Sequence, residues 1–265
     1  MNKTYRKNLE LWRLDTFSNF PGIDHFITTR HGGYSNEPYG SFNLSLNSGE
    51  DQTQVAKNRT LLARTLNTKN DFMHFPKQCH TGNVREVSTS TVCSDLDQTD
   101  ALITNLPGQY LSILIADCVP VILYDPVIKT IAAIHAGWRG TVVGIVRNAV
   151  LKLKERYACN PQNLLAGIGP SISVNNYQVG PEVIAKVKNY FTDINGIVHN
   201  IDNSGHGFLE LWEANRRQLI DTGVKPSNIE ISGICTYENS QTFYSARKES
   251  VNSGRFACGI SLKPL

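Results

Sequence analysis

Two side chains of reactive type flank a pair of apolar runs in the segment "ADCVPVILYDPVIKTIAAIHAGWRG", residues 116–140. Cys118 stands just before the first run, and His135 lies at the end of the second. A thiolate and an imidazole can share a metal ion or act as a nucleophile with its base. They can equally be packed core residues, since a buried cysteine behaves as a small hydrophobic residue. These two residues alone leave all three interpretations open.

The turn between the two runs predicts how the side chains approach each other. The runs "VPVILY" and "TIAAIH" are joined by "DPVIK", in which Asp-Pro favours a turn and therefore a hairpin. If the hairpin is centred on 126–127, Cys118 pairs directly with His135, with the two Cβ atoms roughly 5 Å apart. Both runs are apolar at successive positions, so the hairpin should be buried on both faces with its open end at the rim of a sheet.

Neighbouring segments supply a third metal donor and an anion-binding turn. His80, in "KQCHTG", ends a strand-like piece near a glycine. One cysteine and two histidines form a donor set that suits zinc, with the fourth position left for water or substrate. After His135, "AGWRGT" leads into a helix whose predicted N-cap is Thr141. The unpaired N–H groups there, together with Arg139, would attract an anion.

Strand-like and helix-like segments alternate along the rest of the chain without a linker. Helices are predicted in "DQTQVAKNRTLLARTLN", which places Asn58 and Arg59 mid-helix, and in "TVVGIVRNAVLKLKERYACN". Two more are expected, one beginning at Pro181 and one ending at Gly223. The strands "NIEISGICTY" and "FACGISL" close the chain, and several connections are too short for a purely parallel sheet. We expect a single α+β domain with mixed sheets over residues 1–265.

Composition excludes several classes of function. The chain has 265 residues, 40 % of them hydrophobic and 18 % charged, which is typical of a globular protein with a sizeable core. A net charge of +3, spread along the chain, argues against a nucleic-acid partner. No apolar stretch has the length of a signal peptide or a membrane span, so we expect a cytoplasmic protein. Six cysteines without a CxxC pair are expected to be reduced thiols.

A series of segments resembles a known family. In order, these are "TTRHGGYSNEPYGSFNLS", "NR" at 58–59, "QCH", "TDAL", "ADCVPV", "IAAIHAGWRG" and "GIGPSI". Together they resemble the YfiH-type laccase-domain family, also called polyphenol oxidoreductase or purine nucleoside phosphorylase. The resemblance extends from about residue 24 to the C-terminus, where "SGRFACGISL" matches a closing motif. The segment "SARKES" departs from the aromatic, double-arginine form of the family.

The resemblance implies a four-layer α/β/β/α sandwich, distantly similar to a group of Cys–His hydrolases and deamidating toxins. It also implies zinc bound by His80, Cys118 and His135. The family's names point to different reactions. A multicopper oxidase needs a mononuclear copper and a trinuclear cluster built from His-x-His pairs, and this chain has seven histidines and no such pair. Copper(II) could still occupy a Cys/His₂ site in vitro, because it outcompetes zinc at most nitrogen and sulfur donors.

Purine nucleoside chemistry is therefore preferred to oxidation of phenols by a copper-dependent laccase. The resemblance implies phosphorolysis of adenosine, inosine and methylthioadenosine, together with hydrolytic deamination of adenosine. The small-molecule partners would be a purine nucleoside and phosphate. Arginine is suited to holding phosphate by its planar fork of donors, and an asparagine could orient ribose or phosphate oxygens. The candidates are Asn43, Arg59, Arg139 and Arg30.

Two carboxylates are further candidate site residues, and a second reaction class is the alternative to a metal enzyme. Asp100 and Asp117 are candidates for acid–base work or for orienting a ligating histidine. The alternative to a metal enzyme is a cysteine hydrolase or amidase, with Cys118 as the nucleophile and His135 as its base. Binding without catalysis is a third reading. The sequence is compatible with a monomer or a homodimer.

Overall fold

The computed structural model describes residues 1–264, apart from the side chains of Cys93 and Val251. Its strands are β1 (Asn2–Arg6), β2 (Leu9–Arg13), β3 (Ile23–Thr28), β4 (Met73–His74), β5 (Val84–Glu86), β6 (Ala101–Thr104), β7 (Tyr110–Ile115), β8 (Val119–Asp125), β9 (Thr130–Ala136), β10 (Leu165–Ile168), β11 (Gln178–Val179), β12 (Val198–His199), β13 (Gly207–Leu209), β14 (Ile229–Ile231) and β15 (Phe256–Leu262). The α-helices are α1 (Gln52–Thr65), α2 (Trp138–Thr141), α3 (Ile145–Tyr157), α4 (Pro181–Tyr190), α5 (Leu211–Asp221) and α6 (Ala246–Glu249).

Two mixed six-stranded sheets make up the centre of the molecule. The first has the strand order β1-β2-β3-β15-β7-β4, and the second has the order β14-β10-β8-β9-β6-β5. A small third sheet has the order β11-β13-β12. None of the helices in the described part of the chain combines the length and the apolar composition needed to cross a membrane.

Three apolar clusters show how the layers pack. Between the two large sheets, Ile113 and Cys258 of the first belong to one apolar cluster with Ile122 and Ala133 of the second, all fully buried. The outer face of the first sheet is covered by α1, and the outer face of the second by α3, α4 and α5. The order is therefore helix, sheet, sheet, helix. This arrangement confirms the expected four-layer α+β sandwich.

The helix after His135 begins in a different place from the one predicted. Thr141 was expected to be an N-cap, but it is the last residue of the short helix α2, and its hydroxyl donates to Asn215 Oδ1 at 3.3 Å. The cause is Gly144, whose φ of +77° breaks the chain into two helices. A Cβ at this position would lie 2.6 Å from the Tyr190 hydroxyl oxygen. The expectation of a helix N-terminus at Thr141 was therefore wrong.

The predicted hairpin exists, but its register differs by two residues. Strands β8 and β9 are antiparallel and place Pro120, rather than Cys118, opposite His135. Asp125 Oδ1 accepts hydrogen bonds from the backbone N–H groups of residues 127 and 128, at 2.8 and 3.3 Å, and so stabilises a wider loop. Because side chains alternate between faces, a shift of two keeps Cys118 and His135 on the same face. The exact pairing was wrong, and the expected proximity holds.

Candidate metal centre

Three donor side chains converge where several elements end. His80 lies in the loop between β4 and β5, Cys118 immediately precedes β8, and His135 is the penultimate residue of β9. Cys118 Sγ lies 3.8 Å from His80 Nε2, and one ligand atom from each of the three residues lies within 4.8 Å of the others. His135 is buried, Cys118 is half-buried and His80 is exposed. The cluster is therefore closed at His135 and open to solvent at His80.

A glycine makes this close approach feasible. Gly137 directly follows β9 and lies against both Cys118 and His80. A Cβ added to Gly137 would lie 2.7 Å from Cys118 Sγ and 2.9 Å from His80 Cδ2, closer than real Cβ atoms come to such groups. Any larger residue would push one donor away from the other. Sequence inspection treated "AGW" only as part of a small-residue turn and missed this role.

Asp100 holds both histidines from behind the cluster. Its Oδ1 accepts hydrogen bonds from His135 Nδ1 at 2.8 Å and from the His80 backbone N–H at 2.9 Å. Its Oδ2 accepts from the backbone N–H and the hydroxyl of Thr81, both at 2.7 Å. Burial raises the pKa of Asp100, but the hydrogen bonds from His135 and Thr81 outweigh it and lower the pKa to about 2. Asp100 is thus an ionised acceptor that leaves His135 Nε2 for the cluster.

The thiol and the imidazole favour each other's charged forms. Burial raises the pKa of Cys118, but the charge of His135 and hydrogen bonds to His135 and His80 outweigh it, so the pKa falls below that of an ordinary thiol. Burial lowers the pKa of His135, and the interactions with Cys118 and Asp100 more than reverse that effect. The thiolate is the form of cysteine that binds metals and attacks electrophiles. The lowered pKa therefore favours the thiolate form of Cys118, which both a metal ligand and a nucleophile require.

The donor set fits a zinc ion. A tetrahedral site with zinc–ligand bonds of about 2.0–2.3 Å has its ligand atoms about 3.5 Å apart. The separations here, 3.8 Å between Cys118 Sγ and His80 Nε2 and at most 4.8 Å overall, need only small side-chain movements to reach that value. A carboxylate behind a ligating histidine, as Asp100 lies behind His135, is the usual second layer of such a site. The three residues could thus hold a metal ion with one position left open.

A cavity of about 610 Å³ adjoins His80. Its walls include Trp138, Arg139, Lys186 and Tyr190. The guanidinium of Arg139 lies 4.4 Å from the ring centroid of Trp138, and the ammonium of Lys186 lies 5.5 Å from it. Aromatic walls with a few cationic groups are typical of sites for small polar ligands. Of the four phosphate-binding candidates from the sequence, Arg139 is the one that lines this cavity.

The carboxylate of Asp117 accepts hydrogen bonds from the C-terminal part of the chain, and not from a histidine of the cluster. It has a positive φ of 82°, and its Oδ1 accepts a hydrogen bond from the Thr236 hydroxyl at 2.6 Å. Its Oδ2 accepts from the Arg247 backbone N–H, also at 2.6 Å. The Arg247 side chain in turn lies over the ring of Tyr177, 5.0 Å from its centroid. Asp117 therefore fixes the segment that contains "SARKES" beside Cys118.

Arg255, which sequence reasoning did not single out, brings a cation close to Cys118. Its guanidinium is partly buried and donates to the backbone oxygens of Ser253 and Gly254 at 2.7 and 2.8 Å. Burial lowers the pKa of Arg255, and the negative charges of Cys118 and Asp117 oppose this change. The available signal was the motif "SGRFACGISL", which places an arginine directly before β15.

The structure places Asn43 beneath Arg255 rather than in an open cavity. Asn43 is fully buried, and its Oδ1 accepts a hydrogen bond from the Arg255 backbone N–H at 2.8 Å. Its Nδ2 donates to Ser48 Oγ and Glu50 Oε2, both at 2.7 Å. Asn43 thus positions the start of β15.

Arg30 and Arg59 lie in other contacts. Arg30 forms an ion pair with Glu249 at 2.5 Å, and its guanidinium lies over the ring of Tyr244. Arg59 donates from Nε to the Leu44 backbone oxygen at 3.0 Å, and its guanidinium lies over the ring of Phe75. The contacts that the structure gives for these two arginines do not include the three candidate metal donors.

Comparison with known proteins shows the family to which the chain belongs. A family model described as multi-copper polyphenol oxidoreductase laccase matches residues 24–263, and the chain belongs to this family. It is 37 % identical to a purine nucleoside phosphorylase of Bacteroides thetaiotaomicron, over 97 % of each chain. It is 34 % identical to adenosine deaminase RL5 of an unknown prokaryotic organism, over 96 % of this chain and 100 % of the relative.

A solved structure shows the same architecture. The crystal structure of the Bacillus licheniformis hypothetical protein YfiH superposes with a TM-score of 0.90 at 32 % identity, covering 96 % of both chains. The resemblance drawn from the sequence motifs is thereby confirmed. Both relatives are named for reactions of purine nucleosides, and the structure of this chain contains a His/Cys group that could bind a metal.

Proposed function

We propose that this protein is a zinc-dependent purine nucleoside enzyme. It carries out phosphorolysis of adenosine, inosine and methylthioadenosine, and hydrolytic deamination of adenosine. The observation that carries the proposal is the convergence of His80, Cys118 and His135, with Asp100 fixing both histidines. The names of the two relatives, one a phosphorylase and one a deaminase, support both reactions.

The roles of the residues follow from their positions. His80, Cys118 and His135 would hold the zinc ion, and Asp100 keeps His135 in the tautomer that presents Nε2. When bound, zinc supplies a Lewis acid that lowers the pKa of a water molecule toward neutrality. The open side at His80 leads into the cavity of about 610 Å³, which has room for a nucleoside. Trp138 offers an aromatic wall for the purine ring there.

Phosphorolysis also needs a site for phosphate. Arg139, at the cavity beside His80, and Arg255, near Cys118, are the proposed phosphate contacts, because arginine pairs with phosphate through two parallel hydrogen bonds. Asn43 acts through Arg255 by holding its backbone. Arg30 is assigned to stabilising the C-terminal segment, since Glu249 already pairs with it.

Two measurements on purified protein test the proposal. The first is the zinc content of the wild type, of His80→Ala and of His206→Ala, a control that changes an exposed histidine outside the cluster. We expect equimolar zinc in the wild type and the control, and loss of zinc in His80→Ala. The second is incubation with adenosine, with and without phosphate, followed by separation of inosine, adenine and ribose 1-phosphate. Absence of all three products at micromolar enzyme would overturn the assignment.

One observation favours a second candidate function. Asp100, His135 and Cys118 are in the order of orienting carboxylate, base and nucleophile that defines a cysteine hydrolase or amidase. A hydrolase of this kind would not depend on His80 as a metal ligand. Metal-free wild type that hydrolyses an amide, with His80→Ala retaining most of that activity, would establish the hydrolase and reject the zinc enzyme.

A further inference from the structure

A second, larger cavity lies at the opposite end of the first sheet from the candidate metal centre. Its volume is about 1220 Å³, and Tyr110 and Ser261 are among its walls. These two residues pair at one end of the antiparallel strands β7 and β15. At the other end Ile115 pairs with Phe256, which directly follows Arg255. Five residues of strand span about 17 Å. The cavity is therefore separate from the cluster around Cys118.

The floor of this cavity carries excess positive charge. Asp24, which is 4 % exposed, accepts hydrogen bonds from two guanidinium groups, those of Arg6 and Arg13, and from the Tyr110 hydroxyl. One carboxylate is thus shared by two arginines, which leaves a net positive charge in a partly buried position. Because desolvated charge is costly, this arrangement favours a further anion nearby.

The walls add more positive charge. Among the described lining residues, Asp24 is the one carboxylate and the cationic side chains are Arg6, Lys7, Lys69 and Lys263. The ammonium of Lys7 donates to the Arg64 backbone oxygen and to Asn67 Oδ1, both uncharged groups, so its charge is held at the rim without a carboxylate partner among the described residues. Lys69 and Lys263 are exposed. Three lysines around one opening form a strong attraction for a phosphate group.

The same cavity has apolar and aromatic walls. Leu66 and Leu262 contribute buried apolar surface, and Phe72 lines the cavity with 42 % of its surface exposed. A half-exposed phenyl ring beside cationic groups is suited to stacking against a flat ring of a ligand. The wall also includes Thr65, which is 1 % exposed and whose hydroxyl has no hydrogen-bond partner among the described residues. Most buried polar atoms in folded proteins have a hydrogen-bond partner, so this hydroxyl is free to accept or donate to a ligand atom.

We propose that this cavity is a binding site for a small phosphorylated molecule with a flat ring, the chemistry of a nucleoside monophosphate. Lys69 and Lys263 hold the phosphate, with Lys7 beside them, and Phe72 stacks on the ring. Arg6 supplies a fixed positive charge below the ligand. The site is independent of the proposed activity, because none of its residues belongs to the cluster around Cys118.

Isothermal titration with adenosine 5′-monophosphate, adenosine and inorganic phosphate tests this proposal. The proteins compared are the wild type, Lys69→Ala/Lys263→Ala, and the control Lys188→Ala/Lys225→Ala, which removes two exposed lysines elsewhere. We expect the monophosphate to bind the wild type and the control equally. In Lys69→Ala/Lys263→Ala its affinity should fall at least tenfold, while turnover of adenosine stays unchanged.

Two further proteins separate this site from the metal centre and from any folding defect. Cys118→Ala should bind the monophosphate as the wild type does, because the cavity lies at the other end of the strands. Phe72→Ala should bind it roughly tenfold more weakly, with the affinity for adenosine at the metal centre unchanged. Equal affinity in the two double-lysine proteins, or no detectable binding to the wild type at millimolar monophosphate, would overturn the proposal. Loss of binding in Cys118→Ala would overturn it as well.

Discussion

The carboxylate of Asp100 lies 2.8 Å from Nδ1 of His135, and it is fully buried. The same carboxylate accepts the backbone N–H of His80. One side chain therefore sets both the orientation of one imidazole and the position of the loop that carries the other. Metal affinity and the geometry of the cluster should depend on Asp100 even though it is not itself among the three donors.

Replacing Asp100 by asparagine should weaken zinc binding about 10–100-fold, the usual cost of losing a carboxylate behind a ligating histidine. Competition with a chromogenic chelator would measure it. Asp202→Asn is the control, because Asp202 also accepts hydrogen bonds from backbone N–H groups but lies in an exposed loop. Equal zinc affinities in the two variants would show that Asp100 does not position the donors.

Gly137→Ala should disturb the cluster without disturbing the sheet. The added methyl group would lie 2.7 Å from Cys118 Sγ, so the thiol must move. We expect zinc affinity to drop at least tenfold and activity to fall with it, while the free energy of unfolding of the metal-free protein falls by about 1–3 kcal/mol, as for other overpacked sites. Gly22→Ala is the control, because a Cβ there meets only the Tyr124 hydroxyl, at 3.9 Å. Wild-type zinc affinity in Gly137→Ala would refute the steric argument.

Arg255→Lys tests the proposed phosphate contact. Lysine keeps the positive charge but loses the planar fork of donors, so phosphorolysis should show a KM for phosphate raised about tenfold or more. Deamination of adenosine uses no phosphate and should keep its kcat and KM. A merely structural role would lower both activities together. Arg30→Lys, which changes an arginine paired with Glu249, should leave the KM for phosphate unchanged.

Stability should fall as the pH drops below 6.5 because of His25. Burial and then the charge of Arg13 lower the pKa of His25 to about 4, and its Nε2 accepts the Leu14 backbone N–H at 3.0 Å. Between pH 6.5 and 4 the unfolded chain binds a proton that the folded chain does not, so the folded state loses up to about 3 kcal/mol across this window.

Urea unfolding at pH 7, 5.5 and 4 would measure the contribution of His25. His25→Gln removes the titrating group while keeping a hydrogen-bond acceptor. The variant should be less stable than the wild type at pH 7, and the difference should shrink toward pH 4. A difference that stays constant over this range would assign the pH dependence to other groups.

The hairpin β8–β9 illustrates what local sequence patterns can predict. Two apolar runs separated by Asp-Pro were enough to predict two buried strands and a turn. The register was not predictable, because it depends on the hydrogen bonds that Asp125 makes inside the loop. The same holds for the start of the helix predicted from Thr141, which begins at Ile145 because of the backbone conformation at Gly144.

The candidate site shows the same limit over longer distances. Arginines were chosen for their chemical type, but Arg30 pairs with Glu249, which lies 219 residues further along the chain. Arg255 reaches Cys118 only because β15 lies between β3 and β7. Contacts of this kind are set by sheet topology, which leaves no periodic trace in the sequence. The family motifs, rather than periodic patterns, indicated which distant segments lie together.

The position of β15 in the first sheet affects how the protein folds. This strand follows the other fourteen described strands in the sequence, yet it lies in the interior of the first sheet. During synthesis the edges of β3 and β7 that pair with β15 lack this partner until β15 has been made. Unpaired strand edges are prone to aggregation, and strand pairing over long sequence separations slows folding. Arg255 enters with the same strand. The proposed phosphate contact near Cys118 therefore depends on the insertion of β15 between β3 and β7.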